Sequence, residues 1–257
     1  MKKKSRFNLT GFSFAIGLTI LMEICAREGW LTSYVPPPTV IFASMWTGLL
    51  DGDISGQIGT TLSVYVRALF LGSALAISIG ILMGVYRPFY NAFKVIVEFM
   101  RPVPSVATIP LAILFFGLGA TMRIYVITYA VFWPMLINTL YGVRAIDPQS
   151  LDVARNFGIK GQEAILRVTL PSSIASIATG FRISASIALI VTVTTELVAG
   201  NSGIGFFISQ MEQADRLPPM YAAIILTGII GYGLNALYVW LEHRFVFWTP
   251  AAREQAR

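Results

Sequence analysis

Long apolar runs separated by short polar stretches dominate this chain. A membrane-spanning helix needs about 20 mostly apolar residues. Six segments come close enough to count: residues 9–26, 69–86, 95–118, 125–143, 174–198 and 221–241. The third carries Pro102, Pro104 and Pro110, so it is expected to be kinked, or to be a short helix after an irregular start. Between the first and second runs, residues 28–61 contain Val35-Pro36-Pro37-Pro38 and Asp51-Gly52-Asp53. Successive prolines favour polyproline II, and the Asp-Gly-Asp step favours a turn. This stretch is expected on the outer surface.

Composition supports the membrane reading. Hydrophobic residues make up 55% of the 257 and charged residues 12%, against about 25% charged in soluble domains. Mean hydropathy is +0.69. The net charge of +6 would suit nucleic acid, but the basic residues punctuate apolar runs, so no nucleic-acid partner is expected. With the N-terminus in the cytoplasm, Lys2, Lys3, Lys4, Arg6, Arg87, Lys94, Arg144, Arg155, Lys160, Arg167, Arg244, Arg253 and Arg257 fall inside. Arg27, Arg67, Arg123 and Arg216 fall outside, while Arg101 and Arg182 lie within runs. The excess of cations inside sets both termini and the loop after residue 143 in the cytoplasm. The basic start followed by an apolar run is read as a retained first helix, since Glu23 interrupts the run and no small-x-small cleavage site follows.

That cytoplasmic loop is the most informative stretch. Asp147 can cap a short helix with Pro148 at its first position, and Gly158 can end it in the left-handed conformation. Residues 162–169 form a second amphipathic stretch, which Leu170-Pro171 is expected to break. The spacing Asp152-Val153-Ala154, three residues, Gly158, nine residues, Val168-x-Leu170-Pro171 resembles the EAA loop of ABC-importer permeases, Glu-Ala-Ala, three residues, Gly, nine residues, Ile-x-Leu-Pro. Asp152, Val153 and Val168 depart from that pattern conservatively. Arg101-Pro102-Val103-Pro104 with Pro110-Leu111, Thr60-Thr61-Leu62 with Arg67, and Thr179-Gly180-Phe181-Arg182 resemble the permeases for taurine, alkanesulfonates, nitrate and bicarbonate.

Within the runs, Ala68, Gly72, Ala76, Gly80 and Gly84 recur every four residues. They form one helix stripe where another helix can approach closely, within the chain or across a dimer. Arg182, Ser186 and Glu196 share the fifth run. Ionisable groups inside a span usually face a cavity or a partner, which makes these three candidates for lining a pathway. Glu23, Glu98 and Glu242 sit near span ends and are expected to be interfacial or paired. A single Cys and a single His exclude a disulfide and a metal cluster built on them. No P-loop, metalloprotease motif or nucleophile elbow occurs, so no cofactor and no enzymatic activity are expected.

The resemblance implies an all-α integral membrane protein of about six transmembrane helices with the type I (MetI-like) importer fold, in a bacterial inner membrane. It implies residues 1–60 as tail, first helix and outer segment, 61–248 as the permease core with its coupling loop at 147–171, and 249–257 as a cytoplasmic tail. It also implies two ATPase subunits docked at Asp152, Val153, Ala154, Gly158, Leu170 and Pro171, an extracytoplasmic solute-binding protein, and a second permease subunit, either an identical copy, which is the preferred reading, or a sister permease. The solute would be a small anion. The alternative from the residues alone is a secondary transporter, which would need ion ligands or relay carboxylates at the midplane.

Overall fold

A computed structural model describes residues 9–32 and 34–245. The basic residues expected inside at 2–6, 253 and 257, the tail at 249–257 and the side chain of His243 lie outside the described residues. Eleven α-helices occur among those described, and no strand. Helix α1 (Leu9–Arg27) covers the first expected run, and its side chains from Phe12 to Ile24 are largely exposed. The outer segment is more ordered than expected. Pro36 and Pro37 are outside any helix, with Pro37 in polyproline II geometry, but Pro38 opens helix α2 (Pro38–Leu50), where its missing N–H is harmless. Glu23 joins α1 to α2: it pairs with Arg27 at 2.6 Å and accepts from the Thr39 amide at 3.0 Å.

Gly52, at φ +88°, makes the turn into α3 (Asp53–Val85). This helix begins sixteen residues before the expected run at 69 and passes through the boundary drawn at 60/61. Gly56, Gly59, Thr60 and Thr61 do not interrupt it, because helix packing overrides their weak propensities. At about 1.5 Å per residue its 33 residues span roughly 50 Å, longer than the apolar core of a bilayer. Next comes a broken crossing. Helix α4 (Arg87–Met100) and the segment Ser105–Phe116, a 3₁₀ turn followed by α5 (Ile109–Phe116), meet at 90° across Arg101-Pro102-Val103-Pro104. Prolines remove the donors that would have continued the helix. Helix α6 (Ala120–Arg144) follows.

After the short α7 (Pro148–Asn156) come α8 (Gln162–Ala164), a π-helical turn at Ile165–Thr169 and α9 (Leu170–Ala199). These three run on as one helix, Gln162–Ala199. The expected break at Leu170-Pro171 is therefore absent. The Leu170 amide bonds to the Ile165 carbonyl, five residues back, and this wider turn accommodates a proline without an N–H. Helix α10 (Ile204–Gln213) and α11 (Leu217–Phe245) complete the fold.

Among the described residues, four helices are long and apolar enough to cross a membrane, at Asp53–Val85, Ala120–Arg144, Gln162–Ala199 and Leu217–Glu242, and the bent pair, counted as one span, brings the number to five. Helix α6 sits centrally between α3 and α9. The small-residue stripe of α3 meets α6 of the same chain: a Cβ on Gly72 would lie 2.9 Å from Val131, and one on Gly80 would lie 2.8 Å from Thr139. Ala76 is fully buried in the same seam, and Gly84 closes it against Val143. A second cluster, Ile41, Ile54, Ile204, Phe207 and Leu226, packs α2, α10 and α11 at the other end of the subunit.

Candidate functional site: the basic loop and the buried pair

Helix α7 is fastened at both ends. The Asp147 side chain accepts from the Gln149 amide at 3.0 Å. At the other end the Gly158 amide donates to the Arg155 carbonyl and the Ile159 amide to the Ala154 carbonyl, both at 3.0 Å. These two bonds form a Schellman closure, and Gly158 holds the left-handed position it requires at φ +78°. Of the expected docking residues, Ala154 faces inward at 6% exposure, while Val153 is 54% exposed and Asp152 sits outside, paired with Arg155 at 3.0 Å. Leu170 is half-buried and Pro171 exposed at the foot of α9. Reading by spacing missed two residues. Phe157, 81% exposed, and Leu166, 66% exposed, present apolar surface on the same polar loop. An apolar side chain just before a helix-ending glycine was the available signal for Phe157. Between this loop and the C-terminal ends of α3 and α6 lies a cavity of about 350 Å³, lined by Gly84, Val143, Leu151 and Ala164 among others. Arg144 closes that end, with its guanidinium 3.4 Å from the centroid of the Tyr90 ring.

At the far end of the same helices, Glu196 and Arg123 form an ion pair at 3.1 Å with exposures of 0% and 2%. Glu196 is thus enclosed within the subunit rather than set on an open face with Arg182. Arg123, expected in an outer loop, belongs to the first turn of α6 and is buried. An apolar run holding a carboxylate needs a cation nearby, and Arg123, at the outer start of the neighbouring run, was the signal for this partner. Three further bonds build the network. Thr61 donates to Glu196 at 2.9 Å and accepts from the Ile204 amide at 2.8 Å, and the Gly205 amide donates to Glu196 at 3.1 Å. The carboxylate and the Thr61 hydroxyl thereby each satisfy one of the free donors at the start of α10. Arg123 also donates to the Ser202 carbonyl and hydroxyl at 2.8 and 3.1 Å. A Cβ at Gly203 would collide with the Glu196 carboxylate, and one at Gly205 with the Val193 carbonyl.

Arg182 pairs instead with Glu242 of α11 at 3.1 Å, beside the aromatic contact of Phe181 with Tyr238. Ser186 is exposed and donates to the Arg182 carbonyl. Four carboxylates on or beside the helices have a cationic partner: Glu23 with Arg27, Glu98 with Lys94, Glu196 with Arg123 and Glu242 with Arg182. Arg101, at the broken crossing, is exposed and makes no ion pair among the described residues.

This arrangement, a broken helical bundle with a capped helix on a basic loop, corresponds to a known family. Residues 76–247 match the family described as the binding-protein-dependent transport system inner membrane component. The chain belongs to this family. It is an importer permease subunit, a non-enzymatic membrane component whose ATPase is a separate subunit. A probable ABC transporter permease protein of Brucella abortus is 32% identical over 243 residues, covering 92% of this permease and 97% of the relative. A putative aliphatic sulfonates transport permease protein of Bacillus subtilis is 31% identical over 216 residues, 83% of this chain and 78% of the relative. The inward-facing MetNI methionine ABC transporter contains a chain of the same fold, with a TM-score of 0.62 at 18% identity, covering 72% of this permease and 91% of that chain. That last likeness concerns the fold alone.

Proposed function

We propose that this permease couples to a pair of ATPase subunits through the 147–171 loop and imports a small anion delivered by an extracytoplasmic binding protein. The single observation that carries the coupling is the capped α7, with Ala154 turned inward and Val153 and Phe157 turned out. A helix tied at both ends moves as one body, and an exposed apolar pair on it provides a contact that a partner can bury. Asp152, Val153, Ala154 and Gly158 form the docking core in this reading, and Leu170 and Pro171 carry the movement into α9. Two permease subunits, as a homodimer, enclose the pathway, with both termini cytoplasmic. Residues 61–248 serve as the transporting core and 1–60 and 249–257 as its flanks. The anion class is supported by the sulfonate transport named for the Bacillus subtilis relative.

Alternating access follows physically if ATP-driven closure of the ATPases brings the two loops together and opens the permease outward. The binding protein then releases its solute into the pathway, and hydrolysis restores the inward-facing state. The test is affinity purification of the tagged permease from gently solubilised membranes, with mass spectrometry of what accompanies it. A P-loop ATPase should accompany the parent protein. Recovery should fall at least about tenfold with Val153→Asp/Phe157→Asp, since a charge in a desolvated contact costs several kcal/mol. Gly158→Asp should also reduce recovery, by straining the left-handed corner. Unchanged ATPase recovery by all variants would remove the loop from the interface.

A further inference from the structure

The N-terminal half of α3 presents a face that none of the described residues covers. Gly56, Gly59, Thr60, Ser63 and Arg67 recur at three- and four-residue spacing and so share one side of the helix. A Cβ at Gly56 or Gly59 would meet no atom within 4 Å. This side forms one wall of an open cleft of about 610 Å³, whose other walls are Ala120 and Arg123 of α6 and the turn at Asn201 and Ser202.

Depth follows from a hydrogen bond. Thr128 donates to the Ala68 carbonyl, which sets the backbone of Arg67 about level with the third turn of α6, roughly 12 Å along from its first residue by helical rise. The polar row runs from Gly56 down to that level, with the Arg67 guanidinium folded back to Ser63 about one turn above it, and such a row along a spanning helix is costly against lipid and acceptable against water or solute.

The chemistry of the cleft is cationic. Arg67 Nε donates to the Ser63 carbonyl at 3.0 Å, and one of its terminal nitrogens donates to the Ser63 hydroxyl. These bonds draw the side chain back along α3 toward the cleft and leave the other terminal nitrogen unengaged. Arg67 has no acidic partner among the described residues, and no acidic residue lines the cleft. Arg123, 2% exposed, contributes a second guanidinium to the wall. Its Nε has no partner, and its charge is offset by Glu196. One uncompensated guanidinium with free N–H donors, flanked by the hydroxyls of Thr60 and Ser63, suits a planar or tetrahedral oxyanion held by paired N–H donors.

We propose that the cleft between α3 and α6, with Arg67 at its inner end, binds a small oxyanion of the sulfonate or carboxylate class on its way in from the outer surface. This rests on the reading of the permease as an anion importer with the start of α3 outside. The test uses the assembled transporter in lipid nanodiscs, with Cys25→Ser removing the native thiol and Gly59→Cys placing a reporter where a side chain meets no atom. Labelling rates are compared for two methanethiosulfonate probes of similar size, one bearing a sulfonate and one a trimethylammonium. Arg67→Gln should lower the anion-to-cation rate ratio about tenfold, the scale expected for one nearby charge in a partly desolvated cleft, and Arg67→Lys should preserve it. Ethanesulfonate should slow labelling in the Arg67 protein and not in Arg67→Gln. Continued labelling of Arg67→Gln by the cationic probe separates lost attraction from lost fold. A reporter closed to both probes in the assembled transporter would make this face an interface between subunits and overturn the proposal. A ratio indifferent to Arg67→Gln would also overturn it. Because the readout needs no import, a transporter that moves only neutral or cationic solutes while showing the expected ratios would refute the importer's anion class and leave the site standing.

Discussion

Glu196 illustrates what one residue does in this protein. Its carboxylate meets a guanidinium from α6, a hydroxyl from α3 and an amide at the start of α10. Four parts of the subunit therefore converge on two oxygens. Removing one member of a buried ion pair leaves the other charge without compensation, which costs about 3–5 kcal/mol. Arg123→Met should accordingly lower the thermal unfolding midpoint of the purified permease far more than Arg27→Met, whose partner Glu23 lies in a more exposed pair. Equal shifts for the two variants would mean that the buried pair does not hold the outer end together. The presence of a charge at Glu196 was legible in the sequence. Its environment was not, because helical spacing relates Glu196 to residues of its own helix, whereas burial was decided by Arg123 and Thr61 on two others.

At the scale of elements, the seam between α3 and α6 is set by residues that lack bulk. Gly72 and Gly80 bring α3 close enough for side chains of α6 to touch its backbone surface. Small-residue spacing made this stripe visible in advance, and the fold decided that its partner is α6 of the same chain. Gly80→Leu would force a side chain into Thr139 and the Leu136 carbonyl. Such overpacking should cost about 1–3 kcal/mol, seen as a lower midpoint in detergent, while Gly17→Leu on α1, with open space around it, should be near neutral. The long helix Gln162–Ala199 shows where local reasoning misleads. A proline signals a break from sequence alone, yet the π-helical turn at Ile165–Thr169, closed by the Leu170 amide on the Ile165 carbonyl, lets the helix carry on. Continuity between the loop and the span makes α9 a mechanically direct link from the 147–171 loop to Glu196 near the opposite end of the helix.

For the whole molecule, the polar groups sort by end. The basic loop with its exposed Val153, Phe157 and Leu166 lies at one end, and the buried pair and the Arg67 cleft lie toward the other. The expected orientation follows from charge bias and can be checked in intact cells. With Cys25→Ser, a cysteine replacing Gln149 should react with a membrane-impermeant maleimide only after permeabilisation, and one replacing Asp215 should react before it. The reverse pattern would invert the protein and place α7 out of reach of any cytoplasmic ATPase.

The amino-acid sequence by itself determined the membrane class, the apolar runs, the family resemblance and the capped helix on the loop. These depend on local properties: hydropathy over about 20 residues, a cap, a glycine at a left-handed position, and a fixed spacing. Only the tertiary structure decided that α3 begins at Asp53, that the third crossing turns through 90°, that Glu196 is enclosed by Arg123, and that Arg67 lines an open cleft. Each of these depends on which helices lie side by side, and helix neighbours are chosen by packing and charge compensation between residues far apart in the chain, of which local sequence carries no record.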